Sequence, residues 1–227
     1  MNDSSLLLDS LDQESRDQLL EGHRVINIPA QHQLLFQSDW GEEVYFVSSG
    51  LLKVRCLTSN GDEIVIAIQG PGAVIGDLAV LSPRPLRSAD VVSLTPATLL
   101  KLRQRAFQEV MGQSAPFTRA VAHVQAQRLS SLGERLILMH EDATTRLLAT
   151  LSLLARLNGP ADDPRQVIPP ISQQDIAVIA GLSRGTTSTL ITKLRNNQTL
   201  EQTPQGLRFV QLSALERRGL LPKGGER

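Results

Sequence analysis

Hydrophobic spacing in this chain changes once, near Leu102, and that change limits the folds open to it. From Arg24 to Leu102, short runs such as RVINI, QLLF, EVYFV, LLKVRCL, EIVIAI, ADVVS and ATLLKL are broken by turn residues. The breaks fall at Pro29, Ser38–Asp39, Ser49–Gly50, Asn60–Gly61–Asp62, Gly70–Pro71–Gly72, Ser82–Pro83 and Pro96. Asn60–Gly61 between two alternating runs is a strong hairpin signal, because both residues tolerate positive φ. Strands this short and closely spaced predict a β-sandwich or barrel.

Helical spacing takes over after Leu102. Pro116 suits the first turn of a helix. Phe117, Val121 and Val124 follow at i, i+4 and i+7, then Leu129, Leu132, Leu136 and Met139 at i, i+3, i+7 and i+10. The stripe changes face between 124 and 129. Gly133 sits inside it at a cost of about 1 kcal/mol relative to alanine. A long helix over 116–141 with a narrow apolar seam suits a two-helix interface. Asp142 reads as the cap of a further amphipathic helix, Thr144 to Arg156, and Asn158, Gly159, Pro160 and Asp162–Pro164 read as a loop. The expected organisation is a domain over 1–115, a helix over 116–141 and a second domain over 142–227, with a frayed PKGGER end. A length of 227 residues is comfortable for two cores.

Charge separates the two parts. Residues 1–141 carry 12 basic and 16 acidic residues, and 142–227 carry 11 and 7. Between Ile176 and Leu200, Arg184, Lys193 and Arg195 face no acidic neighbour in sequence, which suits a polyanionic partner. Aromatic residues are only 3%, which argues against a base-stacking platform for single strands. Cys56 is the sole cysteine, so neither a disulfide framework nor a thiolate cluster can form. His23, His32, His123 and His140 show no ligand spacing, so no metal or haem site is expected. Apolar runs stop short of the roughly 18 residues that span a bilayer. The N-terminus has neither a basic region nor an unbroken apolar core, so no membrane association is expected and the cytoplasm is the expected compartment. No nucleophile elbow, HExxH or P-loop appears, so an enzyme is not expected.

Residues 171–197, ISQQDIAVIAGLSRGTTSTLITKLRNN, read as a helix-turn-helix. Ser172 can cap the first helix, with Asp175 three residues on as a variant of the capping box. Ile176, Ile179 and Ala180 form its apolar side, and Ala177 lets two helices cross closely. Gly181 falls where the turn needs positive φ. Ser183 can cap the second helix, whose expected buried side is Thr187, Leu190, Ile191 and Leu194. Arg184, Gly185, Thr186, Ser188 and Thr189 would then face base edges in the major groove. Of these only Arg184 can make a bidentate contact to guanine. Ser172, Gln173, Gln174 and Lys193 are better placed for phosphates. Leu200–Gln202 and Leu207–Gln211, with a turn at Pro204–Gly206, read as a two-stranded wing with Arg208 near its turn.

Residues 74–91, VIGDLAVLSPRPLRSADV, hold a second constellation. Gly76-Asp77-Leu78-Ala79 is a small-residue turn whose N–H groups can face a ligand. Arg87 and Ser88 pair a guanidinium with a hydroxyl, which suits a phosphate, and Asp77 suits a ribose hydroxyl.

The order of these parts resembles the CRP/FNR family of bacterial transcription regulators over roughly residues 15–212. GDLAVL…RSA is similar to the family's phosphate-binding cassette, with the same 11-residue step from glycine to arginine. GLSRGTTSTLITKL is similar to its recognition-helix signature. The resemblance implies an α+β fold: an N-terminal β jelly-roll sensor domain, a long dimerisation helix and a C-terminal winged helix-turn-helix. It implies that Arg87 and Ser88 hold a cyclic phosphate, that Asp77 replaces the usual ribose-binding glutamate, and that Ser130 or Ser131 touches the base. It implies double-stranded DNA and a second copy of the chain as partners, with RNA polymerase or another regulator as a protein partner. Three departures stand out. Asp77 is one methylene shorter than glutamate. Gly185 and Thr189 stand where cAMP-responsive members commonly carry Glu and Arg. A single cysteine excludes an FNR-like iron–sulfur cluster. The effector class left open is cAMP, cGMP, cyclic di-GMP or none. The alternative to a ligand-responsive DNA-binding homodimer is an adaptor of the same fold that acts on proteins. A hinge is expected at Glu141-Asp142-Ala143.

Overall fold

The alternation between Arg24 and Leu102 becomes two four-stranded sheets in the computed structural model, which describes residues 3–159 and 163–221. One sheet has the order β1 (Arg24–Ile28), β8 (Ala97–Arg103), β3 (Glu43–Ser49) and β6 (Val74–Ile75). The other has the order β2 (Gln33–Leu35), β7 (Asp90–Ser93), β4 (Leu52–Leu57) and β5 (Glu63–Gln69). Gly61, at φ 83°, turns the chain between β4 and β5, as the Asn-Gly pair predicts. The expected loop at Pro160 and Asp162 and the expected frayed end from Pro222 lie outside the described residues.

Successive side chains on a strand point to opposite faces, and β3 uses both. Tyr45 and Val47 join Ile28, Leu35, Leu52, Ile75, Val91 and Leu99 between the sheets. Val44 and Phe46 join a second cluster with Leu7, Leu19, Phe107, Val110, Phe117, Val121 and Val124. These belong to α1 (Asp3–Asp9), α2 (Gln13–Leu20), α4 (Gln104–Gln113) and α5 (Ala115–Leu138), which cover the first sheet. The Phe107 and Phe117 rings meet edge to face, with centroids 5.1 Å apart. The short helix α3 (Asp77–Leu81) follows β6 directly.

Helix α4 stops at Ser114, whose N–H donates to Val110 O and whose hydroxyl accepts from Phe117 N. Helix α5 then starts one residue before Pro116, close to the expected 116. Its first half is buried at Phe117, Ala120, Val121 and Val124. The later stripe is exposed at Leu129 (72% accessible), Leu132 (39%) and Leu136 (61%), and half-buried at Met139.

The chain divides into two compact units inside α5, between Glu134 and Arg135; Asp62–Ile64 groups with the second unit. The second unit contains α6 (Ala143–Leu157), α7 (Gln173–Ala180), α8 (Arg184–Asn196), β9 (Leu200–Thr203), β10 (Gly206–Phe209) and α9 (Ser213–Glu216). Asp142 caps α6 by accepting from Thr144 N, Thr145 N and Thr145 Oγ1. Strands β9 and β10 pair antiparallel, and Ile168 extends the ribbon beside Leu207. Gly206, at φ 140°, is required there: a Cβ would lie 1.9 Å from Ile168 O. Among the described residues no helix is long and apolar enough to cross a membrane.

Candidate functional site

The 74–91 constellation is built around a buried guanidinium. Arg87 is 5% exposed. Its Nη1 donates to Gly76 O at 3.1 Å and its Nη2 to Glu43 O at 2.9 Å. The loop before β3 grips its backbone: Arg87 N donates to Asp39 O, and Ser38 N donates to Arg87 O. Gly76 has φ 87°, and a Cβ there would lie 2.8 Å from the backbone oxygen of Glu43, so backbone conformation and close approach both favour glycine. The Glu43 carboxylate is 3.6 Å from Arg87 Nη2 and closer, at 2.6 Å, to Lys101 Nζ. Burial pushes the Arg87 guanidinium below its ordinary range, partly offset by the nearby Tyr45 and Glu43.

Asp77, 3% exposed, faces a different cation. Arg128 on α5 donates Nη1 to both of its carboxylate oxygens, at 2.9 and 2.8 Å, and Gln125 Nε2 donates at 2.7 Å. Arg128 Nη2 also reaches Asp3 Oδ2 at 3.2 Å and donates to Val74 O. Burial works against the Arg128 charge, but Asp77 and Asp3 outweigh it and hold the guanidinium above its usual range. Asp77 is therefore paired with α5 in this structure, and Arg87 rests mainly on backbone carbonyls.

The structure thus brings Gly76, Asp77, Ala79 and Arg87 together. Leu78 is 45% exposed and Ser88 is exposed. Ser130 and Ser131 are exposed on α5, and the Ser130 hydroxyl donates to Ala126 O in its own helix. Sequence reasoning passed over Arg128, Gln125 and Glu43. Arg128 falls seven residues after Val121 and four after Val124, the slot where the inner stripe of α5 needs its next residue.

The second site follows its sequence closely. Ser172 Oγ accepts from Asp175 N and donates to Asp175 Oδ2 at 2.5 Å, so Ser172 caps α7 as expected while the Asp175 carboxylate meets the serine hydroxyl. Gly181 adopts φ 63° at the end of α7. Ser183 Oγ accepts from Thr186 N at the start of α8. Thr187, Ile191 and Leu194 are buried as expected, whereas Leu190 is only half-buried because it sits at the flank of the helix. Arg184, Gly185, Thr186, Thr189 and Lys193 are exposed, as are Ser172, Gln173 and Gln174; Ser188 is half-exposed. On the wing, Arg208 Nε donates to Glu201 Oε1 at 2.7 Å, so the wing arginine is already paired.

Two arginines without a sequence signal fix the turn. Arg135 Nη2 donates to Ile179 O at 2.7 Å, and Arg146 Nη1 donates to Gly181 O at 3.0 Å. Cations at a helix C-terminus are favourable, by about 0.3–1 kcal/mol each when exposed and more when half-buried. Burial pushes Arg135 below its ordinary range. The expected hinge at Glu141-Asp142-Ala143 is therefore bridged from both sides onto the end of α7, which explains why the last turn of α5 belongs to the second unit.

Comparison with known proteins follows the same division. Residues 25–114 match the cyclic nucleotide-binding domain family, and residues 145–218 match the Crp-like helix-turn-helix domain family. A cyclic AMP receptor protein of Thermus thermophilus is 26% identical over 190 residues, covering 83% of this chain and 84% of its own. A CRP-like cAMP-activated global transcriptional regulator of Mycobacterium tuberculosis is 24% identical over 163 residues, 71% of this chain and 72% of that one. The structure of FixK2 from Bradyrhizobium japonicum superposes with a TM-score of 0.75 at 18% identity, covering 86% of this chain and 96% of that chain. The c-di-GMP responsive regulator CLP of Xanthomonas campestris gives 0.68 at 19% identity, covering 87% and 99%.

The Asp77–Arg128 pair gives a direct prediction. Removing one partner of a buried pair strands the other charge, at a cost of about 3–5 kcal/mol. Arg128→Met should destabilise the first unit by about 3 kcal/mol in urea unfolding, and Asp77→Leu with Arg128→Met should be less unstable than Arg128→Met alone. Strictly additive losses would mean the two side chains are not coupled.

Proposed function

The chain belongs to the CRP/FNR family of transcription regulators, and we propose that it works as a homodimeric DNA-binding regulator controlled by a cyclic nucleotide. The observation that carries the DNA reading is α8: Ser183 caps it, the Gly181 turn and two arginines hold its approach, and its first turn is exposed. A helix held this way enters the major groove with Arg184 toward a base edge and Gly185, Thr186 and Thr189 beside it. Two such helices in a dimer sit about 34 Å apart, one turn of DNA. The exposed Leu129, Leu132 and Leu136 on α5 supply the seam for the second copy. RNA polymerase or another regulator is the partner the dimer meets on DNA.

The sensing reading rests on Arg87. A buried guanidinium held by two carbonyls, with a carboxylate only at 3.6 Å, is completed by a phosphate. A cyclic nucleotide also carries the ribose hydroxyl that Asp77 would accept from. Because Arg128 and Gln125 now occupy that carboxylate, binding entails releasing it, and the effector must favour the released state by the whole energy of the shift. The same occupancy favours a second reading, a regulator whose pocket stays closed by its own side chains and needs no effector.

Three experiments test these statements. Leu136→Asp should convert the dimer to monomers in analytical ultracentrifugation at micromolar concentration; a dimer that survives it places the seam elsewhere. Arg184→Ala should cost about 1–3 kcal/mol on a selected DNA site and relax base preference at one position, read by fluorescence anisotropy. Calorimetry and thermal melting with cAMP, cGMP and cyclic di-GMP separate the two sensing readings. A bound nucleotide at 100 times its Kd should stabilise the protein by about 2.7 kcal/mol, and Arg87→Leu should abolish the effect. No heat and no stabilisation from any of the three leaves the closed-pocket regulator.

A further inference from the structure

On the second unit a trough runs between α6, α8 and α9, with a cavity of about 190 Å³. Lys193, Arg217 and Arg218 line it, together with Thr144 in the first turn of α6. Arg218 Nε donates to Thr145 Oγ1 at 3.1 Å, and Arg218 Nη1 to Ala214 O at 3.4 Å, which fixes two nitrogens of its guanidinium beside the start of α6 and leaves Nη2 for a ligand. The negative group nearby is Asp142. Its carboxylate is held below the ordinary range chiefly by its bonds from Thr145, with Arg218 adding to the effect, and its oxygens are spent capping α6. Three cations line the cavity and no acidic side chain does among the described residues, with Asp142 and the exposed Glu216 standing outside its lining.

The position of the trough around α8 identifies its ligand. An α-helix advances about 100° per residue. Thr187, Ile191 and Leu194 point inward, so Gly185, Thr189, Thr192 and Asn196 form the outermost line. Lys193 falls on one flank of that line, with Thr186 and Leu190 on the same side. A recognition helix lying in the major groove has a phosphodiester backbone along each flank. The Lys193 flank opens into the trough, and the outermost line itself carries no charge, so fixed positive charge on this side is aimed at backbone and not at base edges.

We infer that Lys193, Arg217 and Arg218 form a phosphate-binding trough that clamps the DNA backbone beside the recognition helix. The inference rests on the DNA-binding reading and extends it to the Arg217-Arg218 pair that directly follows α9. Phosphate contacts of this kind position the protein without reading sequence.

The test compares full-length protein with Arg217→Ala/Arg218→Ala and with Arg217→Lys/Arg218→Lys. The probes are a duplex selected by the wild-type protein from a random pool and a scrambled duplex of equal length. Binding is followed by anisotropy against salt concentration, with circular dichroism and thermal melting to establish folding. The alanine variant should lower the salt slope by about one to two, weaken both duplexes by the same factor and keep base preference. The lysine variant should restore the slope. A folded alanine variant with an unchanged slope overturns the trough while DNA binding stands. A loss confined to the selected duplex overturns it too, because the arginines would then act through base reading. A wild-type protein that binds neither duplex removes the DNA-binding reading and the trough together.

Discussion

A carboxylate as buried as Asp77 needs a hydrogen-bonding cation to offset its burial, and that partner comes from 51 residues away, on α5. That constraint organises the first unit. Arg128 spans Asp77, Asp3 and Val74 O, so one guanidinium ties the N-terminal helix, the strand before the cassette and the long helix to a common point. Arg87 donates to the main-chain oxygens of Gly76 and Glu43, so its hydrogen bonds do not draw on the Asp77 carboxylate that Arg128 engages. In the sensing reading proposed above, a phosphate at Arg87 would add an anion where a carbonyl pair serves now, and a ribose at Asp77 would displace a cation that also holds α5. Arg128 would then be the side chain that links ligand chemistry to α5.

The second unit solves a different problem, holding a short turn rigid. The carbonyls at the end of α7 would otherwise be left to solvent, and two arginines from opposite sides of the α5–α6 bend fill them. The bend itself is capped by Asp142. The last turn of α5 and the first turns of α6 therefore travel with the helix-turn-helix. The two compact units divide farther back along α5, between Glu134 and Arg135.

Much of this was legible because its determinants are local. Ser172, Gly181 and Ser183 announce two helices and a turn through capping and positive φ, which depend on residues no more than three or four positions apart. Asn60–Gly61 and the period-two runs announce the strands for the same reason. Strand β6 escaped notice because two residues show no period, and α9 because a single turn carries no stripe. The partner of Asp77 was invisible for a deeper reason. Arg128 occupies the inner stripe of α5 where an aliphatic residue fits the pattern, and a stripe that changes face between 124 and 129 resembles a seam turning toward a second helix. Both descriptions hold: Val121 and Val124 pack on the sheet, Arg128 reaches the cassette, and Leu129 and Leu132 turn outward. Only a contact far away in sequence tells a misplaced polar residue from one with a task.

The charge map of α8 then follows from what the helix must do. Its outward line is Gly185, Thr189, Thr192 and Asn196, small and uncharged, with Arg184 near its start and Lys193 and Arg195 on opposite flanks. Small uncharged residues allow the helix backbone to approach the bases closely, and hydroxyls and an amide read edges weakly. In the DNA-binding mode proposed above, strong discrimination would therefore be concentrated at Arg184, while overall affinity would be carried by cations outside the base-reading line. The wing adds little net charge, since Arg208 is neutralised by Glu201. If the proposed dimer forms, such a regulator would bind DNA with a steep dependence on salt and a narrow base requirement, and its hold on any one site would depend on how firmly both recognition helices are kept one DNA turn apart.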